Sequence, residues 1–414
     1  MRESWLRKLG PGLITGAADD DPSGIATYSQ GGARFGLDML WTVLFTYPLM
    51  VGIQTVSARI GRVSGHGLAT NIRRHYPAWL LYMIVGLLLI ANSINIAADI
   101  SAMADAVHLI ADGPAPVYAL AFGTLSALLQ VFIPYRRYVR VLKWLTLALF
   151  AYVATAFAVH IDWKHVMLRT VAPHISFSAA YLTTVVAILG TTISPYLFFW
   201  QASQEVEEQL ADPEARPLNK APWQAPAHLK RIKLDTLVGM GISNLVAFFI
   251  ILTAAVTLGQ HGDSNIETSA QAAAALRPIA GDFAFYLFTA GIVGTGLLSI
   301  PVLAGSSAYA VAGTFRWKNS LERPLLEARQ FYAIIVVSTM LGVALGFAPI
   351  DPIKALFWSA VINGVISVPI MAVMMLMAAR KDIMGSFVIT TRLKVLGWSA
   401  TGLMTAAVAA MLLS

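Results

Sequence analysis

The chain has 414 residues, of which 57% are hydrophobic and 12% charged, and its mean hydropathy is +0.67. A soluble domain carries about 25% charged residues, so this composition excludes one and points to an integral membrane protein. The absence of cysteine rules out disulfides and thiolate metal sites, and the net charge of +7 is shared among loops rather than gathered for nucleic acid.

In chain order, the segment from Met1 to Gly16 carries Arg2, Arg7 and Lys8, but its apolar part is short and runs into acidic residues. It is expected to remain in the mature protein rather than be cleaved as a signal. Runs of about twenty apolar residues predict eleven spans, near residues 10–36, 39–60, 79–105, 115–134, 143–161, 178–205, 233–259, 281–312, 330–347, 352–379 and 394–413. The expected fold class is an all-α polytopic membrane protein. Placing the N-terminus in the cytoplasm leaves Arg34, Lys164, Arg169, Arg277 and Lys354 outside and the other 24 of the 29 basic residues inside. That asymmetry sets the orientation, with the C-terminus outward. Trp41, Trp79, Trp144, Trp163 and Trp398 lie near proposed helix ends, as an aromatic belt requires.

The first span contains Asp19-Asp20-Asp21-Pro22-Ser23-Gly24. A charge near the bilayer centre costs about 2.5–3.5 kcal/mol even on the gentler scales, so three in a row would abolish an ordinary spanning helix. They are tolerable where the helix breaks and the freed groups line a polar cavity, which predicts a cation site there. The competing reading starts the helix after Asp21 and leaves the acids at the surface.

The sixth span contains Gly190-Thr191-Thr192-Ile193-Ser194-Pro195-Tyr196. A proline there removes a backbone hydrogen bond and frees carbonyls around Thr191 and Thr192; the bland alternative is a kink in a packed helix. Helix 1 opens the first five spans and helix 6 the next five. Two interrupted spans at matching positions of two halves point to a transporter site at a repeat interface.

Other features carry less. Gly12/Gly16 and Gly61/Gly65 have the spacing of close helix packing. The segment from Glu205 to Lys233, with Glu207, Glu208, Asp212, Glu214 and four prolines, reads as a linker between halves. Asn92, Asn95 and Asp99 share one face of helix 3, as an aqueous path or an interhelical hydrogen-bond stripe. Asn363-Gly364 in helix 10 offers a carbonyl or packing glue, and Ser243 and Asn244 in helix 7 are weaker versions of the same. The eight histidines form no metalloprotease pattern, and Gly291-x-x-Gly294-x-Gly296 follows no strand, so neither an enzyme nor a nucleotide site is expected.

The run Gly10-Pro11-Gly12, Asp21-Pro22-Ser23-Gly24, Gly36, Leu40-Trp41, Gln54, Arg59 and Gly61 resembles the opening of the Nramp divalent-metal transporters, whose signature is Asp-Pro-Gly-Asn. The helix 6 run is similar to their Gly-Ala-Thr-Val-Met-Pro-His motif, and Lys381-Asp382 with Met384-Gly385 resembles their loop before helix 11. The likeness covers nearly the whole chain. It implies a LeuT-like fold of two inverted five-helix repeats plus one extra helix, with repeats at 1–165 and 166–380 and helix 11 at 381–414. The metal would lie between the broken helices 1 and 6. Asp21 matches the metal-binding aspartate, and Ala18 and Thr191 match positions that offer backbone carbonyls.

The departures are as specific. The family's metal-binding Asn is Gly24 here and its Met is Ser194. A thioether favours softer ions, so its loss leaves oxygen ligands: Asp21, Asp20, the Ser194 hydroxyl, carbonyls and water. Such a site suits a partly hydrated Mg²⁺, as in the Nramp-related magnesium transporters that also lack the methionine. Asp19 would hold hydrated ions electrostatically. The family's proton-coupling histidine is Tyr196, the Glu paired with Asp99 is Ala102, and helix 9 has no basic residue, which predicts weak or absent proton coupling. The expected function is therefore a secondary-type carrier of a hard divalent cation, Mg²⁺ first and Mn²⁺ second. Its metal residues are Asp21, Ser194, Ala18, Thr191, Gly24 and Asp20, with Asp19, Asp99, Asn95, Tyr196 and Asn363 along the pathway. Three alternatives stay open: a proton-coupled Mn²⁺/Fe²⁺ importer, a LeuT-like carrier of an organic solute, and a metal-gated channel. No cofactor is expected beyond the transported cation. The expected surroundings are membrane lipid, with no nucleic acid, in a bacterial inner membrane, and the chain is expected to be monomeric.

Overall fold

The computed structural model describes residues 11–133, 145–259, 266, 268–321, 323–348 and 350–414. Arg2, Arg7, Lys8, Gly10, Trp144 and the first residues of the expected fifth span lie outside the described residues. The regular elements described are all helical. In chain order the long ones are α1a (Pro11–Asp19), α1b (Pro22–Phe35), α2 (Leu40–Ser64), α3 (Ala78–His108), α4 (Ala115–Phe132), α5 (Phe150–Ala158), α6a (Ala179–Thr192), α6b (Pro195–Ala211), α7 (Ala225–Thr257), α8 (Ala284–Phe315), α9 (Arg329–Gly346), α10 (Pro352–Ala378) and α11 (Thr391–Leu413). Short helices, among them Leu68–His75 and Trp163–Val171, connect them.

Among the described residues nine helical stretches are long and apolar enough to cross a membrane, or ten if Leu147–Ala158 and Trp163–Val171, bent by 118°, form one span. One of the nine, Pro22–Ser64, is 43 residues long and is interrupted at Gly36, where φ is +60°. An unbroken helix of that length would reach about 64 Å, roughly twice the hydrocarbon core. α1b and α2 are therefore separate crossings, and each of the eleven expected spans has a helical counterpart.

Burial sorts the helices into a centre and a shell. The apolar windows of the α6 and α8 stretches are 89% and 83% buried inside the protein, whereas those of α4 and α11 are 28% buried. Exposed Leu120, Leu128 and Phe132 on α4 and Leu412 on α11 are the apolar surface that lipid would cover. Small residues let the central backbones touch. A Cβ at Gly16 would lie 2.3 Å from the carbonyl group of Gly239, and one at Gly61 2.2 Å from the Ala202 oxygen. Gly12, Gly16 and Gly61 thus pack α1a on α7 and α2 on α6b, as their spacing predicts. Gly65 plays a different part: its φ of +70° ends α2, a left-handed cap that favours glycine.

The expected linker at 205–233 is a correction. α6b runs on to Ala211 and α7 begins at Ala225, so only about a dozen residues connect them. The acidic residues that read as loop stand on α6b because partners hold them there. Glu205 pairs with Arg231, and Glu207 accepts hydrogen bonds from Tyr309 (2.8 Å) and Ser320 (2.6 Å).

Candidate metal site

Five prolines fall within or between these spans in instructive ways. Pro48, Pro301 and Pro369 sit inside intact α2, α8 and α10, whereas Pro22 and Pro195 each open a new half-helix. Proline suits the first helical position, where its missing N–H would lack an intrahelical partner anyway. At both breaks the residue before it is extended and polar: Asp21 (φ −74°, ψ 171°) and Ser194 (φ −79°, ψ 134°).

Asp21 is 1% exposed and caps α1b with its own side chain. Its Oδ1 accepts from the Gly24 N–H (2.8 Å) and the Ser23 hydroxyl (2.6 Å). Its Oδ2 accepts from Asn95 Nδ2 (3.0 Å) and lies 3.4 Å from the Tyr196 hydroxyl. The Tyr196 hydroxyl also donates to the Ala18 carbonyl, 3.0 Å away, at the end of α1a. Helix 1 and helix 6 therefore meet at their breaks. Gly24 confirms the proximity: a Cβ there would stand 3.1 Å from Thr191 Oγ1 on α6a.

At the second break the Ser194 hydroxyl turns backward. It lies 2.8 Å from both the Gly190 and the Thr191 carbonyls, donating to one at a time, and gives α6b no side-chain cap. The Thr191 hydroxyl is buried beside the Tyr28 side chain.

Behind Asp21 lies a polar cluster on α3, α8 and α10. Asn95 Oδ1 accepts from Ser359 (3.0 Å) and Asn363 (3.2 Å), and Asp99 Oδ2 accepts from Ser299 (3.0 Å). Asp99 Oδ1 is buried and unpartnered. The three polar residues of the α3 face thus divide: Asn95 joins the site and Asp99 extends it, while Asn92 donates to Leu303, Ser306 and Ser307 of α8 as an interhelical stripe. Asn244 likewise donates to the Val43 carbonyl on α2.

Asp19 and Asp20 do not face the same way as Asp21. Both reach Ser243 on α7, at 2.6 Å and 3.0 Å, and Asp20 borders a cavity of about 60 Å³ with Leu149 and Phe150. Among the described residues no three His, Cys, Asp or Glu side chains come together as a metal cluster. Two further residues escaped the sequence reading. Asp235 on α7 accepts from the Gly12 (2.7 Å) and Leu13 (3.1 Å) N–H groups, capping α1a, and Arg231 one turn earlier lies 3.8 Å from it and also pairs with Glu205. A carboxylate four residues after an arginine at the start of an apolar helix was the available signal.

The sequence profile described as Natural resistance-associated macrophage protein-like, Nramp, matches residues 12–414. The chain belongs to the Nramp family. Among curated Nramp relatives, the divalent metal cation transporter MntH of Caldanaerobacter subterraneus subsp. tengcongensis is 25% identical over 406 residues, covering 95% of this chain and 90% of that one. The protein of the same name from Deinococcus radiodurans is 26% identical over 402 residues, covering 94% and 86%. The crystal structure of the Eremococcus coleocola manganese transporter, in complex with an aromatic bis-isothiourea substituted compound, superposes with a TM-score of 0.73. It does so at 17% identity, over 99% of this chain and 88% of that one. The nucleobase-cation-symport-1 family transporter Mhp1 superposes at 0.56 with 13% identity, over 98% and 91%. The fold of this Nramp chain is accordingly LeuT-like, in an integral membrane protein.

Proposed function

We propose that this Nramp chain carries a divalent metal cation across the membrane by alternating access around Asp21. The observation that carries the reading is one buried carboxylate at the meeting of two helix breaks, in a chain of this family. Asp21 supplies charge, Ser194, Thr191 and Ala18 supply oxygen, and Gly24 leaves room. Asn95, Asn363 and Asp99 orient and extend the acidic end of the site, and Asp19 and Asp20 add negative potential from the α7 side. The repeats are assigned to residues 1–165 and 166–380, with the N-terminus in the cytoplasm. A divalent ion gains about 4.6 kcal/mol entering across 100 mV, which supports inward movement.

For the ion, the named relatives favour Mn²⁺ and the Mn²⁺/Fe²⁺ importer over the Mg²⁺ carrier that the sequence put first. Mg²⁺ retains one specific support: the polar partners of Asp21 are Ser23, Gly24, Asn95 and Tyr196, and Ser194 stands where the family resemblance places a thioether. Flux into proteoliposomes of Mn²⁺, Mg²⁺ and Ca²⁺, with and without a pH gradient, decides both points. Wild type is expected to carry Mn²⁺ and Asp21→Ala to match protein-free vesicles. Wild-type rates from Asp21→Ala would refute the site, and Mg²⁺ uptake faster than Mn²⁺ would restore the hard-ion reading.

A further inference from the structure

The carbonyls of Ala18 and Thr191 are the two backbone oxygens that the family resemblance offers to the cation, and each lies within hydrogen-bond reach of a hydroxyl. The Tyr196 hydroxyl donates to Ala18 at 3.0 Å and the Ser194 hydroxyl reaches Thr191 at 2.8 Å. Each carbonyl belongs to the last turn of a half-helix, where no intrahelical N–H remains to satisfy it. Tyr196 also lies 3.4 Å from Asp21 Oδ2, so a single hydroxyl touches both a carbonyl and the carboxylate of the candidate site. The single hydroxyl proton of Tyr196 satisfies one of those oxygens at a time, the nearer being Ala18, and a cation that binds both must displace it.

We propose that Tyr196 is an affinity-setting residue whose hydroxyl competes with the transported cation for the Ala18 carbonyl beside Asp21. This rests on the proposed cation site. The physical consequence follows from satisfaction of buried polar groups. Leaving a buried acceptor unpaired is costly, so a hydroxyl that pairs with it stabilises the ion-free protein and weakens ion binding by the same amount. The benefit appears in the return step, when the carrier must reorient without its ion. A ligand set of bare carbonyls would hold the ion more tightly and slow that return.

The test separates binding, exchange and net uptake for wild type and Tyr196→Phe in proteoliposomes, with Ser194→Ala as the ligand-loss comparison and Mn²⁺ as the probe. Tyr196→Phe keeps the ring and its packing but removes the donor. It is expected to bind Mn²⁺ about tenfold more tightly, the worth of one lost competing hydrogen bond, to keep Mn²⁺/Mn²⁺ exchange, and to lose net uptake. Ser194→Ala, which removes one of the proposed oxygen ligands, should instead bind Mn²⁺ more weakly than wild type. If Tyr196→Phe binds Mn²⁺ more weakly, or if exchange and net uptake fall together, the hydroxyl is a ligand or a structural prop and the competition is refuted. A wild type that binds no Mn²⁺ would instead refute the cation site itself.

Discussion

The two helix breaks look alike in sequence, each a polar residue followed by proline, yet they are finished from opposite sides. Asp21 reaches forward and caps the Gly24 N–H of α1b, whereas Ser194 reaches back to the carbonyls that end α6a. The half-helix before the first break is anchored by charge: Asp235 caps the start of α1a, and Arg231 ties Asp235 to Glu205 on α6b. The half-helix before the second is anchored by the neutral Ser178 cap, 3.4 Å from the Tyr181 N–H. Helix 1 thus brings the charge and helix 6 brings neutral oxygen. An interruption is a geometric device, and its chemistry is set by which way the capping side chain turns.

Two perturbations probe that asymmetry and a third, away from it, is its control, in decreasing order of effect. Removing the charge that anchors helix 1 should cost most. In Arg231→Gln the fully buried Glu205 loses its cation, and unfolding in detergent should be easier by about 3–5 kcal/mol. The double variant Arg231→Gln/Glu205→Gln should recover most of that loss, since the penalty comes from the stranded carboxylate. Equal melting of both would show that the stranded Glu205 carboxylate is not the source of the loss.

The caps themselves come next. Asp21→Ala removes an N-cap and should destabilise by about 1 kcal/mol, while Asp21→Asn keeps the cap and loses only the charge. Both should abolish flux, so melting and transport part company at this break. If Asp21→Asn transports, charge is not what helix 1 contributes.

The smallest effect lies outside both breaks, at the end of α2. Burial, and secondarily Arg74 beside it, push His66 down to about 4. Its folded proton affinity is below that of the unfolded chain, so the stability it contributes is complete above about pH 6.5 and is lost as the pH falls toward 4. The ring is partly exposed and water screens Arg74, which keeps the effect modest. Melting temperature should fall between pH 7 and pH 5, and His66→Gln should remove that component of the slope without altering the Asp21 results.

Much of this was legible in the sequence for a physical reason. Hydropathy marks spans because lipid tolerates few polar groups, and proline next to Asp21 or Ser194 marks a break because it cannot extend the preceding turn. Pro48, Pro301 and Pro369 show the limit of that rule, since α2, α8 and α10 each run on through one, as packed membrane helices tolerate. The direction in which Asp19 and Asp20 turn was not legible. It depends on Ser243, more than two hundred residues away, and on the close approach of Gly16 to Gly239. The partners of Asn95 were equally hidden, because Ser359 looks like any small residue in an apolar helix. The linker was overextended because Glu205 and Glu207 read as solvated until Arg231, Tyr309 and Ser320 are seen beside them.

The most direct measurement is the anomalous scattering of Mn²⁺ in crystals of wild type and Asp21→Ala. A single strong peak touching the Asp21 carboxylate between α1b and α6a, absent from Asp21→Ala, is the predicted result. A peak between Asp20 and Ser243, or one that persists in Asp21→Ala, would contradict a site built on the meeting of the two breaks.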